Sequence, residues 1–360
     1  MKPTQSLHEL GQSLWLDNIT RTMLHDGTLR RYIDELSITG LTSNPTIFDK
    51  AISQGEAYDE QIVELHEKGL EPEQRFFELA LTDLREAASM FEPINRRTDG
   101  VDGWVSLEVS PLLADDAKGT IAQVADLHSR AATNIFIKIP GTEAGRVAIE
   151  ESIFAGTPVN VTLLFSADQY LGSAEAYMRG VERRIEAGLD PAVPSVASIF
   201  ISRWDVAVAD EAPAELRNQL GIAVAKDAYR IYRELLDSER WQRLANEGAR
   251  PQRLLWASTG TKDPEASDAL YIEALAAPFT INTMPDKTLL AFAEQGEVGE
   301  PLPTDGGDAG QVLAEFEAAG IEVAALAARL QHEGAKAFDA SWSELMQSIE
   351  SKSRKLAATG

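Results

Sequence analysis

Eight short apolar segments alternate with amphipathic, helix-like segments along most of the chain. This alternation is typical of parallel βαβ units, because neighbouring parallel strands must be joined by a long crossover, usually a helix. Eight such units predict an α/β fold of the (β/α)8 TIM-barrel type. The alternative is a doubly wound open sheet, which is disfavoured because no G-x-G-x-x-G pattern follows an early strand. The predicted strands are residues 14–17, 38–44, 104–109, 134–139, 159–165, 195–201, 253–258 and 279–284, and the predicted helices are residues 26–36, 58–67, 72–90, 118–132, 143–154, 168–186, 214–236 and 267–275.

The chain continues beyond the eighth strand into a segment of different composition. Residues 296–310 are rich in Gly, Pro and acidic residues and predict a loop. The Ala-, Leu- and Glu-rich patterns of residues 311–331 and 334–352 predict two additional C-terminal helices that pack on the barrel. We therefore expect a single domain over residues 1–360, in which residues 306–360 form a helical C-terminal extension.

Composition excludes several classes of function. The chain has 57 acidic and 33 basic residues and a net charge of −24, which argues against a nucleic-acid or anionic-membrane partner. It has no cysteine, which excludes disulfides, thiolate catalysis and zinc–thiolate sites. Its five histidines show no metal-ligand spacing, so we expect no metal site. Neither a signal peptide nor a membrane-spanning apolar run is visible, and the cytoplasm is the expected location.

One lysine lies inside the fourth predicted strand. Because side chains alternate along a strand, Ile135, Ile137 and Ile139 face one side, whereas Phe136 and Lys138 face the other. Burial disfavours the charged form of an amine, and an uncharged amine attacks carbonyls to form a Schiff base. The alternative is a structural lysine whose ammonium group reaches out to solvent. The sequence around the lysine therefore allows, but does not by itself require, a covalent catalyst.

Other polar residues occupy the carboxyl ends of the predicted strands, where the active sites of such barrels lie. The chemistry of a Schiff base requires this mixture: a carboxyl to move protons at the amine, a second base for a hydroxyl, amides for sugar hydroxyls and cations for a phosphate. Each residue also has a structural alternative, such as a helix cap, a turn or, for Arg203 and Asp205, a surface ion pair. The candidates are Asp17, Thr42, Asn44, Glu108, Lys138, Asn160, Thr162, Ser198, Arg203, Ser258 and Lys262.

Three segments of the chain resemble the transaldolase family. Residues 40–48 (GLTSNPTIF) are similar to its T-[ST]-N-P signature, residues 135–145 (IFIKIPGTEAG) to its Schiff-base lysine signature, and residues 160–166 (NVTLLFS) to its fifth-strand segment. The resemblance extends over nearly the whole chain. It implies a class I aldolase barrel of the pentose phosphate pathway. It also implies an enzyme, a transferase of aldehyde or ketone groups, that moves a dihydroxyacetone unit from sedoheptulose 7-phosphate to glyceraldehyde 3-phosphate, giving erythrose 4-phosphate and fructose 6-phosphate.

The resemblance also implies residue roles. Lys138 is the Schiff-base nucleophile, Asp17 is the base for the C4 hydroxyl, and Glu108 moves protons through a water that Thr162 helps to hold. No metal or organic cofactor is implied, because the iminium itself accepts the electrons. The resemblance further implies that sugar hydroxyls and phosphate are bound by Thr42, Asn44, Asn160, Ser198, Arg203 and Ser258.

The chain departs from the family pattern after the seventh strand. Better-known members carry an arginine soon after the serine, whereas here Ser258 is followed by Thr-Gly-Thr and Lys262, which we expect to replace that cation. Two other functions remain as alternatives: an aldolase that cleaves fructose 6-phosphate without transferring the fragment, and a non-catalytic barrel that binds sugar phosphates. A monomer and a homodimer are both compatible with the sequence.

Overall fold

The computed structural model describes residues 1–358. Eight parallel strands close into a barrel in which each strand pairs with the next and the eighth pairs with the first. The predicted (β/α)8 barrel is therefore confirmed, and the doubly wound alternative is wrong. The strands are β1 (Ser13–Asp17), β2 (Ile38–Thr42), β3 (Trp104–Glu108), β4 (Ile135–Pro140), β5 (Val159–Leu164), β6 (Ser195–Phe200), β7 (Arg253–Ala257) and β8 (Ile281–Met284).

Sixteen α-helices surround or cap the barrel within the described residues. Within this part of the chain, no helix is both long enough and apolar enough to cross a membrane. The helices are α1 (Pro3–Glu9), α2 (Arg21–His25), α3 (Thr28–Leu36), α4 (Pro45–Gln54), α5 (Asp59–Glu67), α6 (Pro72–Arg97), α7 (Ala117–Arg130), α8 (Glu143–Ala155), α9 (Ala167–Glu186), α10 (Ser202–Ala207), α11 (Leu220–Asp237), α12 (Glu239–Asn246), α13 (Leu270–Ala274), α14 (Asp286–Gln295), α15 (Ala309–Ala318) and α16 (Val323–Ala357).

Three helix predictions were wrong in their boundaries. The predicted helix 214–236 is divided, because Asn218 adopts a left-handed conformation (φ 62°) and α11 begins only at Leu220. The two predicted C-terminal helices break at a different point. Gly320 adopts a left-handed conformation (φ 88°), which a right-handed helix cannot include, so α15 ends before it. Helix α16 then runs without interruption across residues 332–333, where the sequence predicted a break.

Aromatic side chains fill the interior of the barrel beneath Lys138. Phe136 stacks on Trp104 with ring centroids 4.3 Å apart, and Trp15 lies 6.1 Å from the same ring. These aromatic rings fill the interior below Lys138, which follows Phe136 by two residues on the same face of β4. Ile135, Ile137 and Ile139 belong to the other core cluster, outside the barrel. The predicted alternation along this strand is therefore confirmed, and it directs Lys138 into the mouth.

The longest helix, α16, is the principal element added to the barrel. It packs against α4, α5 and α6 and also contacts β5. Trp342, Leu345 and Ile349 on its inner face are buried. Trp342 meets Phe76 of α6 edge to face, with ring centroids 5.0 Å apart. The helix thus covers one side of the barrel and reaches its carboxyl-terminal mouth.

Candidate active site

The predicted strand-end residues converge on one cavity of about 320 Å³ at the carboxyl-terminal mouth of the barrel. Such a volume suits a small sugar phosphate, and its wall is polar at the strand ends. Two candidates lie behind this wall and contact residues that line it: Glu108 and Asn160. The candidates that line the cavity directly are Asp17, Thr42, Asn44, Lys138, Thr162, Ser198, Arg203, Ser258 and Lys262.

Lys138 lies at the buried floor of this cavity, only 6% exposed. Its Nζ donates to Glu108 Oε2 at 3.1 Å and to the Ser43 carbonyl oxygen at 3.4 Å. The register of the sheet creates this contact, because Lys138 of β4 lies directly beside Glu108 of β3. Burial raises the pKa of Glu108 above its ordinary value, and the attraction of Lys138 only partly opposes this. A carboxyl with a raised pKa beside an amine is suited to both give and take a proton.

Two oxygens near the lysine have no internal partner. Glu108 Oε1 and Thr162 Oγ1 are buried and accept or donate no hydrogen bond within residues 1–358. Buried polar atoms are nearly always paired, so each is available to a substrate or water. Thr162 is two residues beyond Asn160, which lies beside Lys138 in the sheet register. The two oxygens therefore belong to the same part of the mouth.

Asp17 occupies the end of β1 and is half-buried. It accepts a hydrogen bond of 3.0 Å from Thr42 Oγ1, which also lies 2.8 Å from Thr283 Oγ1. Burial raises the pKa of Asp17, whereas the charges of Lys138 and, more weakly, Lys262 act to lower it. The carboxyl therefore lies within the field of both lysines. Only β2 lies between the strands of Asp17 and Glu108, and the charge of Asp17 contributes to the raised pKa of Glu108.

The two asparagines have different surroundings. Asn44 Oδ1 accepts from the Ile47 backbone N–H at 3.1 Å and caps α4, a bond that does not use its Nδ2 donor. Asn160 is fully buried; it accepts from Ser198 Oγ at 2.7 Å and donates to Ser106 Oγ at 3.1 Å. Asn44 thus serves as a helix cap and also lines the cavity, whereas Asn160 supports Ser198 from behind.

Three exposed cations surround the cavity: Arg203, Lys262 and Lys50. In the described part of the chain, none of them makes an ion pair or a hydrogen bond. The alternative of an Arg203–Asp205 ion pair is wrong. Asp205 points away and accepts instead from the Leu220 and Gly221 backbone N–H groups and from Tyr271. The three free cations make the rim of the cavity suitable for an anion.

Sequence reasoning missed several residues that line the cavity. Lys50 lies on α4, a helix absent from the sequence prediction, and its spacing of six residues from Asn44 is not a helical repeat that would have pointed to it. Thr283 lies at the end of β8, where the sequence analysis assigned no polar candidate. Phe338 comes from α16 and contacts Phe200 with ring centroids 6.5 Å apart. No local pattern connects Phe338 with the strand ends, because their contact depends on how α16 packs.

The chain is similar to known proteins over nearly its whole length. Residues 14–349 match the family model described as transaldolase/fructose-6-phosphate aldolase. The transaldolase of Arthrobacter sp. (strain FB24) is 43% identical over 359 residues, which cover 97% of this chain and 96% of that protein. The transaldolase of Mycobacterium ulcerans (strain Agy99) is 42% identical over 364 residues, with 98% and 97% covered. The transaldolase of Kocuria rhizophila is 43% identical over 357 residues, with 96% and 97% covered. The chain belongs to the transaldolase/fructose-6-phosphate aldolase family.

Proposed function

We propose that the chain is a transaldolase that transfers a dihydroxyacetone unit from sedoheptulose 7-phosphate to glyceraldehyde 3-phosphate. The products are erythrose 4-phosphate and fructose 6-phosphate, as in the pentose phosphate pathway. The observation that carries this proposal is the buried Lys138 amine, hydrogen-bonded to Glu108 at the floor of a cavity with a cationic rim. An amine in such a place is suited to attack a ketone rather than to bind solvent.

The first half of the reaction forms the Schiff base. Nζ of Lys138 attacks the C2 carbonyl of the ketose phosphate and a carbinolamine results. Loss of its hydroxyl as water requires a proton, which Glu108 supplies; the free Oε1 of Glu108 and Oγ1 of Thr162 would hold the water that relays it. The raised pKa of Glu108 favours this role, since the group must carry a proton before it can give one.

The second half breaks the carbon–carbon bond. Asp17 takes the proton of the C4 hydroxyl, the C3–C4 bond breaks, and its electron pair moves to the iminium nitrogen to give an enamine on Lys138. The aldose phosphate leaves with a new C4-derived aldehyde. The acceptor aldehyde then reacts with the enamine in the reverse sense, and water releases the new ketose from Lys138.

The remaining residues bind the substrate. Thr42, Asn44 and Ser198 line the cavity between Asp17 and Lys138 and would bind the dihydroxyacetone hydroxyls, with Asn160 holding Ser198. Arg203, Ser258 and Lys262 lie at the rim and would bind the phosphate. Lys262 would supply the second cation, as expected from its place after Ser258.

The test is borohydride trapping with fructose 6-phosphate, followed by peptide mass analysis. The peptide that carries Lys138 should gain the reduced adduct, and Lys138→Ala should abolish both labelling and transfer. Lys336→Ala, a change of an exposed lysine outside the cavity, is the control. Labelling that survives in Lys138→Ala would contradict the proposal.

A second measurement separates the alternative functions. Without an acceptor aldehyde, an aldolase would release free dihydroxyacetone continuously, whereas a transaldolase would retain the fragment on Lys138. A binding protein would bind fructose 6-phosphate without any change in the mass of the lysine peptide. We expect a trapped three-carbon adduct and little free dihydroxyacetone. Activity should persist in the presence of a chelator, because the iminium needs no metal.

A further inference from the structure

Helix α16 crosses the mouth of the barrel between β5 and α4. Gln331 Nε2 donates to the Leu163 carbonyl oxygen at 2.9 Å, next to the end of β5. Ten residues later, Ser341 Oγ accepts a hydrogen bond of 3.0 Å from Thr46 Oγ1 at the start of α4. Between them, Phe338 lines the cavity. The helix therefore contacts the strand ends directly and is not a detached appendage.

The segment of β5 that α16 contacts is irregular. The pairing register of β5 with β6 shifts between Val161 and Leu164, so Thr162 and Leu163 form a bulge. Leu163 adopts a left-handed conformation (φ 59°), which costs a branched residue about 1–3 kcal/mol and persists only where its surroundings hold it. Bulges of this kind redirect a neighbouring side chain. Here that neighbour is Thr162, whose Oγ1 is free and whose side chain lines the cavity.

Gln331 is the side chain that holds the bulge from outside. Besides Leu163 O, its Nε2 lies 3.4 Å from the Gly141 carbonyl oxygen. The Gly141 backbone N–H in turn donates to Thr162 O at 2.7 Å. Gly141 follows Lys138 by three residues at the end of β4. One amide therefore joins the ends of the two strands that carry Lys138 and Thr162.

A second contact restricts the same peptide. Gly334, one turn beyond Gln331 on α16, lies against the Leu163 side chain; a Cβ at Gly334 would be 3.0 Å from Leu163 Cδ2. The glycine thus allows α16 to approach closely enough for Gln331 to reach the carbonyl. Two contacts with α16 therefore hold Leu163 in its left-handed conformation: Gln331 bonds its carbonyl oxygen, and Gly334 packs against its side chain.

We propose that Gln331 is a positioning residue that fixes the β5 bulge and thereby holds Thr162 Oγ1 toward Lys138 and Glu108. It touches no reacting atom and acts only through Thr162. The inference rests on the proposed function, in which Thr162 holds the water that relays protons during Schiff-base formation. Helix α16, the element added to the barrel, becomes part of the catalytic apparatus.

The experiment compares Gln331→Leu with Gln347→Leu. Leucine keeps most of the volume but removes the donor, and Gln347 is an exposed glutamine on the same helix. Displacement of a catalytic group by about 1 Å costs up to about a hundredfold in rate, so Gln331→Leu should slow borohydride-trappable adduct formation by about ten- to a hundredfold. KM for fructose 6-phosphate should change by less than about twofold, because the hydroxyl- and phosphate-binding residues are untouched. Gln347→Leu should match the wild type.

A double-mutant cycle distinguishes positioning from a general structural role. In a Thr162→Ala background, Gln331→Leu should lower the rate by less than about twofold further, since the residue through which it acts is absent. Gln331→Lys, which retains a donor on a long side chain, should recover part of the rate and also serves if the leucine variant does not fold.

The outcomes separate the two proposals. Wild-type labelling rates in Gln331→Leu, or equal losses with and without Thr162, would overturn the positioning role alone. A wild-type protein that forms no adduct on Lys138 would overturn the proposed function, and the positioning role with it.

Discussion

The buried contact between Lys138 and Glu108 is the central feature at the scale of single residues. Taking two such charges out of water costs several kcal/mol per ion, so an ion pair in this position is weak evidence for stability. The pair is instead suited to proton transfer, because burial raises the pKa of Glu108 and its Oε2 lies 3.1 Å from Nζ of Lys138. We therefore expect the contact between Lys138 and Glu108 to serve proton transfer rather than the stability of the fold.

The two carboxyl groups should affect different steps. Asp17→Ala should still form the Schiff base with fructose 6-phosphate but cleave it about 10²–10⁴-fold more slowly, so that the six-carbon adduct accumulates. Glu108→Ala should slow adduct formation itself. Mass spectrometry after borohydride reduction distinguishes the six-carbon phosphorylated adduct from the three-carbon one. Asp17 is not the cleavage base if Asp17→Ala yields only the three-carbon adduct at the normal rate.

Loss of a rim cation should lower kcat/KM for phosphorylated substrates more than for unphosphorylated ones. Arg203→Ala removes a guanidinium group that has no protein partner among the described residues, so the fold should be unaffected. A charged hydrogen bond contributes about 1.5–3 kcal/mol, which corresponds to a loss of about ten- to a hundredfold in kcat/KM for phosphorylated substrates. Unphosphorylated dihydroxyacetone-containing analogues should lose far less.

Lys262→Ala and Lys50→Ala test the other two cations in the same way, by comparing the loss of kcat/KM on phosphorylated substrates with the loss on unphosphorylated analogues. Lys336→Ala is the control. An unchanged KM in Lys262→Ala would remove Lys262 from the phosphate site. Equal losses on phosphorylated and unphosphorylated substrates in Arg203→Ala would mean that Arg203 is structural.

Asp205 predicts a pH dependence of stability that is separate from catalysis. Burial raises its pKa from 3.8 to about 6, although hydrogen bonds from Tyr271, Gly221 and Leu220 oppose this. Between these values the folded protein binds more protons than the unfolded chain, so the contribution of Asp205 is greatest below its unfolded pKa and is lost as the pH rises through about 6. Relative to Asp205→Asn, the wild-type free energy of unfolding should fall by about 3 kcal/mol over this range. Urea unfolding of both proteins at a series of pH values measures this change. A difference in the free energy of unfolding between wild type and Asp205→Asn that stays constant with pH would contradict the shifted pKa.

At the scale of elements, the turn from β4 into α8 explains the glycines of the lysine motif. Thr142 caps α8 by accepting from the Gly145 backbone N–H at 3.0 Å. A Cβ at Gly145 would lie 1.8 Å from the Pro140 carbonyl oxygen, and one at Gly141 would lie 2.3 Å from Leu164 Cδ2. The two glycines therefore allow α8 and β5 to pack closely on the strand that ends just after Lys138.

Gly145→Ala should consequently destabilise the protein. The clash is with backbone, which has no rotamer to change, so α8 must move and the free energy of unfolding should fall by about 1–3 kcal/mol. Gly310→Ala is the matched control in the first turn of α15, where a Cβ would meet no atom within 4 Å. It should be neutral or stabilising by up to about 1 kcal/mol. Chemical denaturation measures both, and equal effects would contradict the packing argument.

At the scale of the whole molecule, we propose that residues 1–358 form one domain, of which 306–358 are an integral helical extension; the last two residues of the expected domain, 359–360, lie outside the described residues. Helix α16 packs on three helices of the barrel layer and buries Trp342, which is 2% exposed. It also lines the active-site cavity through Phe338. The segment thus shares both the core and the candidate site with the barrel.

Trp342→Ala should therefore destabilise the barrel as well as the helix. Loss of a buried tryptophan costs about 3–5 kcal/mol, and here it removes contacts with Phe76 and Phe77 of α6. Far-ultraviolet circular dichroism and the fluorescence of the remaining tryptophans should show one shifted transition. A separate early transition, with the barrel unaffected, would show that the segment is a detachable extension.

Local sequence patterns were sufficient to predict the architecture and the family. Alternation of apolar strands with helices is a local property, and it predicted all eight strands. Alternation within β4 likewise predicted that Lys138 shares a face with Phe136, opposite Ile135, Ile137 and Ile139. The transaldolase resemblance, carried by the motifs around Asn44, Lys138 and Asn160, is confirmed by the family match. The Pro-Gly turn after β4 is likewise local, because Pro and Gly end a strand by backbone geometry alone. The roles of the individual site residues stay predictions.

The remaining walls of the mouth depend on packing between elements that are distant in the chain. Lys50 reaches the cavity because α4 begins at the Asn44 cap, and Asn160 lies behind Ser198 because of the sheet register. From α16, more than 130 residues beyond Ser198 in the chain, Phe338 lines the cavity and Gln331 contacts the Leu163 carbonyl at the end of β5. Periodicity reports which face of an element is apolar, but not which distant element covers that face. That choice depends on side-chain packing across the whole molecule, and here it places the C-terminal helix against the catalytic strands.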